Sequence, residues 1–203
     1  MSNVLLGRPG VTPPAPFVPD AFFVAFALVV STEGGFTNNP ADAGNWTGGY
    51  LNGGINQGTK FGISAAAYPH LDIIDLTLAD ARAIYRRDYW DRIAGDALPP
   101  RLALIVFDAA VNNGPGQAAR WLQFAAGVVV DGSIGPMTLA TVRRADVTHL
   151  MTEFVAQRLM YMTALPTWRT FGLGWARRLC ALPYQAMTMP ASPPPPVAVA
   201  VAS

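Results

Sequence analysis

The chain holds one cysteine, Cys180, in 203 residues. No internal disulfide can form, and no thiolate cluster can hold a metal. The two histidines, His70 and His149, have no close ligand partners in the sequence, so no metal site and no cofactor are expected. No Ser-His-Asp arrangement is visible. Gly48-Gly49 and Gly53-Gly54 lack both the spacing and the following Lys-Ser/Thr of a phosphate loop. Charge of one sign is also scarce. A formal net charge of +1 leaves no global field to select a polyanion, and no nucleic-acid partner is expected. The apolar run from Ala21 to Val30 is too short to cross a bilayer, so stable membrane insertion is not expected. Glutamate is nearly absent: the chain has only Glu33 and Glu153.

Hydrophobic residues make up 51% of the chain. That is enough to bury one real core, or one core with a small appended lobe. Charge is uneven along it. Residues 141–190 carry Arg143, Arg144, Arg158, Arg169, Arg177 and Arg178 against Asp146 and Glu153. This predicts either a basic face suited to an anionic surface or an ordinary solvated helix face. Arg8 and the run after it faintly resemble a signal peptide. The start is Pro-rich, however, and cleavage after Ala27 would remove most of the first helix. An uncleaved start is therefore expected, with export that needs help or packaging into a particle.

The elements follow from periodicity and punctuation. Residues 1–19 contain Pro9, Pro13, Pro14, Pro16 and Pro19 and read as a non-helical arm. Asp20 can cap a helix over the following apolar run, closed by Gly34-Gly35. Residues 34–62 form a loop rich in Gly, Asn and Thr, and loops this long are usually functional. Thr77-Leu78-Ala79-Asp80 reads as a capping box opening a helix to about Arg92, with Leu78, Ala81, Tyr85 and Tyr89 on its apolar face. Arg101 to Val111 reads as a buried helix ended by Asn112-Asn113-Gly114. Further helices are expected over 117–126, from Pro136 to about Arg143, over 147–164 and over 168–180, with Asp131-Gly132 as a turn and Val128–Val130 as a short strand. Residues 190–203 have the composition of a disordered tail. The fold class is mainly α with one long active loop. The expected division is an arm at 1–19, a catalytic region at 20–100, a helical lobe at 101–185 packed on it, and a tail at 186–203.

Glu33 falls where an apolar helix should end. A carboxyl there meets the negative end of the helix dipole and an apolar wall, and both raise its pKa toward the range of a general acid. The other reading is a solvated helix-end glutamate. Asp42 follows after eight residues, and Thr59 lies further along the same loop, before Lys60-Phe61-Gly62. Glycosidic cleavage needs an acid on the leaving oxygen and a second polar group that stabilises the cationic centre or holds a water. Glu33, Asp42 and Thr59 could supply these. Asp42 could equally cap a turn, and Thr59 could simply be a strand residue.

Three segments carry a resemblance. These are Glu33-Gly34-Gly35-Phe36, Asp42 to Gly49, and Gly58-Thr59-Lys60-Phe61-Gly62-Ile63-Ser64. Together with Ile84-Tyr85-Arg86, Tyr89-Trp90, Phe107 to Gly114 and Asp131 to Thr138, they resemble glycoside hydrolase family 108. That family comprises phage endolysins and bacterial secretion-linked muramidases. The resemblance implies a lysozyme-like helical domain with a long active-site loop, and hydrolysis of the β-1,4 bond between N-acetylmuramic acid and N-acetylglucosamine in peptidoglycan. Glu33 matches the catalytic glutamate, with Asp42 and Thr59 as its partners. The excursion from Asn45 to Gln57 makes Thr47 a rival to Thr59. Asp131 to Thr138 resembles the family's C-terminal peptidoglycan-binding region. The resemblance also implies a monomeric endolysin held in the host cytoplasm, released through a holin and acting in the periplasm or wall. A virion-associated lysin or a secretion-system muramidase stays open.

Trp46 and Tyr50 on the loop are candidate sugar-stacking residues, whereas Trp90 reads as core. Asp108 and Asn112, four residues apart on one helix face, could with Asn113 hydrogen-bond sugar groups. They could equally hold the helix end. Two other functions fit the same scaffold: a non-catalytic wall-binding or virion structural protein, and a lytic transglycosylase.

Overall fold

The computed structural model describes residues 20–30 and 35–189. The expected Pro-rich arm, the Gly34 helix stop and the C-terminal low-complexity segment lie outside these residues. Helix α1 spans Ala21–Val30. Asp20 opens it, its Oδ1 accepting from the Phe22 amide at 3.2 Å. Phe22, Ala25, Phe26, Val29 and Val30 are buried, the three-and-four spacing of a helix with one face in a core. Phe22 packs against Trp90 and Phe107, with ring centroids 5.4 and 5.9 Å away, and Phe26 meets Tyr85 at 5.5 Å.

The chain then makes a long irregular excursion with one small hairpin. Strands β1 (Thr59–Lys60) and β2 (Ile63–Ser64) pair antiparallel, Thr59 opposite Ser64. Phe61 and Gly62 form the turn with φ of 53° and 75°. Two positive φ values suit the right-handed twist of a two-residue hairpin. An aromatic residue disfavours that conformation, and here it is held from outside: Tyr85 donates its hydroxyl to the Phe61 carbonyl at 3.1 Å. The excursion is also anchored at Tyr68, which donates to Asp88 Oδ2 at 2.8 Å. Arg87 grips the same carboxylate and holds it below the usual carboxylate range.

Helix α2 (Leu78–Tyr85) opens with the expected capping box, Thr77 with Asp80. It stops short of Arg92. The backbone widens into a π turn over Arg86–Trp90 and tightens into short turns at Asp91–Ile93 and Gly95–Ala97. Side-chain bonds, mostly local, accompany this change. Arg86 pairs with Asp20, Asp91 and Asp96, and Trp90, fully buried, donates its Nε1–H to Asp96 at 2.9 Å. Leu78 shares the face of Ala81 and Tyr85, as expected, but on the first turn it is 47% exposed and lines an open apolar pocket with Phe23, Phe26 and Phe61.

Helix α3 (Pro100–Asn113) is the axis of the molecule. Every residue from Leu102 to Ala110 is buried, since α3 packs on α1, α4, α6 and α7 at once. Each large apolar side chain buried here contributes about 1.5–3 kcal/mol. Helices α4 (Pro115–Ala125), α5 (Pro136–Val142), α6 (Val147–Thr163) and α7 (Trp168–Thr188) complete the fold. Three expectations are corrected. Helix α4 starts at Pro115, directly after Gly114, because proline suits a first helical position. Val128–Val130 is no strand: it has no pairing partner among the described residues, and Val129 is 81% exposed. Helix α7 runs eight residues past Cys180 to Thr188, through Pro183. The buried positions Leu179, Leu182 and Ala186 hold it against α3 and α6, outweighing the missing amide. Residues 186–188, expected to open the tail, are therefore the last turn of α7, and residues 190–203 of the expected tail lie outside the described residues.

Candidate active site

Asp42 is exposed and starts a short turn, Ala43–Asn45, by accepting from the Gly44 amide at 2.8 Å through Oδ1. Its second oxygen has no hydrogen-bond partner among the described residues. The capping role and an open carboxylate oxygen thus coexist. Thr59 sits on β1, its amide and carbonyl both bonded to Thr37 at 2.8 and 2.9 Å. Asn45 connects the two. It is fully buried, takes the backbone carbonyl of Asp42 as acceptor at 3.1 Å, and accepts the Thr59 hydroxyl at 2.7 Å. Its Nδ2 donates to the Asn39 carbonyl at 3.0 Å. Asn45 had no signal in the sequence beyond its place in Asp42-Ala43-Gly44-Asn45.

The excursion that separates Asp42 from Thr59 closes on itself. Trp46 bridges Asn56, and the Gly58 amide bonds the Asn45 carbonyl at 3.0 Å. The extra residues therefore loop out and return the chain to the starting point, with Thr59 beside Asn45. Thr47 is used inside the loop-out, its Oγ1 accepting from the Ile55 amide at 2.9 Å. Gly58 makes the return possible: its φ is +82°, and a Cβ there would come within 2.5 Å of the Thr37 carbonyl. Replacing Asn45 with Ala would leave the Thr59 hydroxyl and two loop segments without their common partner. The expected cost is about 1–3 kcal/mol, read as a lower unfolding midpoint, with activity falling alongside.

Trp46 is half-buried, with its Nε1–H donated to the Pro40 carbonyl at 3.0 Å. Tyr50 is 66% exposed, its ring lying over Gly48 and Gly53. Trp90 is core, as expected. Glu33 lies outside the described residues. Covalent connectivity places it three residues after Val30 and two before Gly35, between α1 and the loop bearing Asp42.

Asp108, Asn112 and Asn113 sit elsewhere, at the end of α3. Asp108 is 1% exposed, and guanidiniums occupy both its oxygens: Arg158 Nη1 at Oδ2, 2.5 Å, and Arg178 Nε and Nη2 at Oδ1, 2.9 and 2.5 Å. Asn113 accepts from Arg158 Nε at 3.0 Å, and Asn112 donates to the Asp108 carbonyl at 2.7 Å. These bonds hold the helix end and tie α3 to α6 and α7. The expected basic face is therefore incomplete. Arg158 is buried, and only Arg143, Arg144, Arg169 and Arg177 of the six are fully exposed. Arg158 and Arg178 were visible in the sequence only as charge, because α6 and α7 meet Asp108 by folding. In the third region, Asp131 accepts from Gln123 and from the Ser133 amide and is held below the usual carboxylate range by them. Gln123 also accepts from the Gly132 amide, where φ is +84°, so this motif forms a structural turn.

No group of three or more potential metal ligands occurs among the described residues. No described helix is long and apolar enough to cross a membrane.

The chain matches no curated protein. The profile described as Glycosyl hydrolase 108 matches residues 26–114, a range that holds Glu33, Asp42, Thr59 and Asn113. Among solved structures, the chain is similar to one described as Structure of Brucella abortus SagA, at 34% identity and a TM-score of 0.69, covering 83% of this chain and 94% of that one. With that identity over nearly the whole of the solved chain, and the profile running from within α1 to the end of α3, the chain belongs to the glycosyl hydrolase 108 family.

Proposed function

We propose that the protein is a peptidoglycan hydrolase that cleaves the β-1,4 bond between N-acetylmuramic acid and N-acetylglucosamine. The observation that carries this reading is the Asn45 link, which brings Thr59 to the Asp42 turn inside a glycosyl hydrolase 108 match. Glu33, on the segment joining α1 to that loop, acts as general acid and protonates the leaving oxygen. Asp42 offers its open oxygen to the developing cationic centre or to a water. Thr59, its hydroxyl aimed by Asn45, orders the same water. Trp46 and Tyr50 provide ring surface for sugars. The helical region from residue 101 onward contacts the wall and completes the cleft side.

The role we propose is host lysis as a phage endolysin, released through a holin and acting as a monomer on the wall. One observation favours a second setting, a bacterial rather than a phage enzyme: the similar solved structure comes from Brucella abortus.

Mass spectrometry of products from purified peptidoglycan tests the chemistry. Reducing muramic-acid ends are the expected result. Anhydro ends would replace the hydrolase with a lytic transglycosylase. Wall binding without products would leave a non-catalytic binding protein.

A further inference from the structure

An open cavity of about 390 Å³ lies between α1, α3 and α7. Leu28 and Leu104 form apolar sides, half-buried Trp175 makes a wall, and Asp108, Arg178 and Gln185 supply polar groups. Around Asp108, and partly behind the cavity wall, charge does not balance among the described residues. Asp108 faces two guanidiniums, Arg158 and Arg178, and is the only acid among the described lining residues. Among the described residues the cluster carries one surplus positive charge. Arg158 is 1% exposed, and its Nη2 is buried with no hydrogen-bond partner. Desolvation pushes its pKa down, against the pull of Asp108. A surplus buried cation is unfavourable unless an anion compensates it.

Two further unsatisfied groups, on Arg178 and Gln185, line the open side. The Nε and Nη2 groups of Arg178 hold Asp108, while Nη1 has no bond among the described residues. The Arg178 side chain is 32% exposed. Two turns along α7, the half-buried side-chain amide of Gln185 also has no hydrogen bond among the described residues. A cationic donor, a neutral donor and an aromatic wall make a site for a carboxylate on a partly apolar chain.

We propose that this cavity is a subsite for a carboxylate of the peptidoglycan stem peptide, met by Arg178 and bounded by Trp175 and Gln185. The proposal rests on the peptidoglycan reading for its choice of ligand. The lactyl carboxyl of muramic acid is amidated in an intact strand and carries no charge there, so the ionised carboxylates are those of the peptide.

Calorimetric titration of the full chain tests this without requiring cleavage. The probes are an N-acetylmuramyl tetrapeptide, the same muropeptide with its carboxyls converted to carboxamides, and an N-acetylglucosamine oligomer. The carboxylate form should bind at least about tenfold tighter than the carboxamide. Gln185→Glu, which sets a like charge at the site, should weaken carboxylate binding by about tenfold and leave oligomer binding as in wild type. Trp175→Ala, a second variant, should weaken both muropeptides. Equal binding of the two muropeptides by wild type, absence of muropeptide binding, or folded variants indistinguishable from wild type would each overturn the proposal. A chain that discriminates the two muropeptides yet yields no cleavage products would keep this subsite and sink the hydrolase reading alone.

Discussion

Replacing Glu33 with Gln should lower peptidoglycan hydrolysis by roughly 10²-fold or more. The substitution keeps size and hydrogen-bonding capacity and removes only the acidic proton. Without that proton the sugar oxygen must leave as an alkoxide, and the oxocarbenium-like transition state loses its main assistance. The family profile covers Glu33, and the chain has only one other glutamate, Glu153 on α6. No second glutamate on the loop can take its place. Release of reducing ends at saturating substrate measures the effect. The limb of the pH profile set by the general acid should vanish in the variant, while its melting temperature stays near wild type. A variant within a few-fold of wild-type turnover would remove Glu33 from the acid role.

Asp108→Ala should be the most destabilising single change in the helical region. The wild-type carboxylate is 1% exposed and neutralises two guanidiniums drawn from α6 and α7. Removing it leaves Arg158 buried beside a second cation with nothing between them. Breaking a buried pair in this one-sided way costs about 3–5 kcal/mol. For a chain of this size that lowers the melting temperature by on the order of 10 °C. Asp108→Asn should come close to the same loss, because it restores shape and not charge. Thermal unfolding followed by circular dichroism decides the matter. A shift of only a degree or two would mean the arginines find other anions, and the cluster would then be no keystone of the fold.

Much of the architecture was legible locally. Asp20, the Thr77–Asp80 capping box and Pro136 act through backbone groups within a few residues of themselves, so the sequence near each one suffices to predict it. The burial of α3 was equally readable, since an apolar stretch on all sides has nowhere to go but a core. The candidate catalytic order, Glu33 then Asp42 then Thr59, was readable as residue types along one loop.

The sequence by itself determined the mainly α class, the helix starts other than that of α4, and the identity of the loop that bears the candidate site. Only the tertiary structure decided what lies between distant segments. At the end of α2, Arg86 pairs with Asp20, 66 residues away in the chain, and the length of α7 was set by the face it buries on α3 and α6. Thr59 rather than Thr47 faces the Asp42 turn because the intervening excursion closes through Asn45 and Gly58. Asp108 became the anion of a two-arginine cluster because helices 50 and 70 residues away deliver Arg158 and Arg178 to it. Caps and periodicities are short-range and leave a mark in neighbouring residues. A pairing across 14, 50 or 70 residues leaves none, because its energy exists only once packing has brought the partners together.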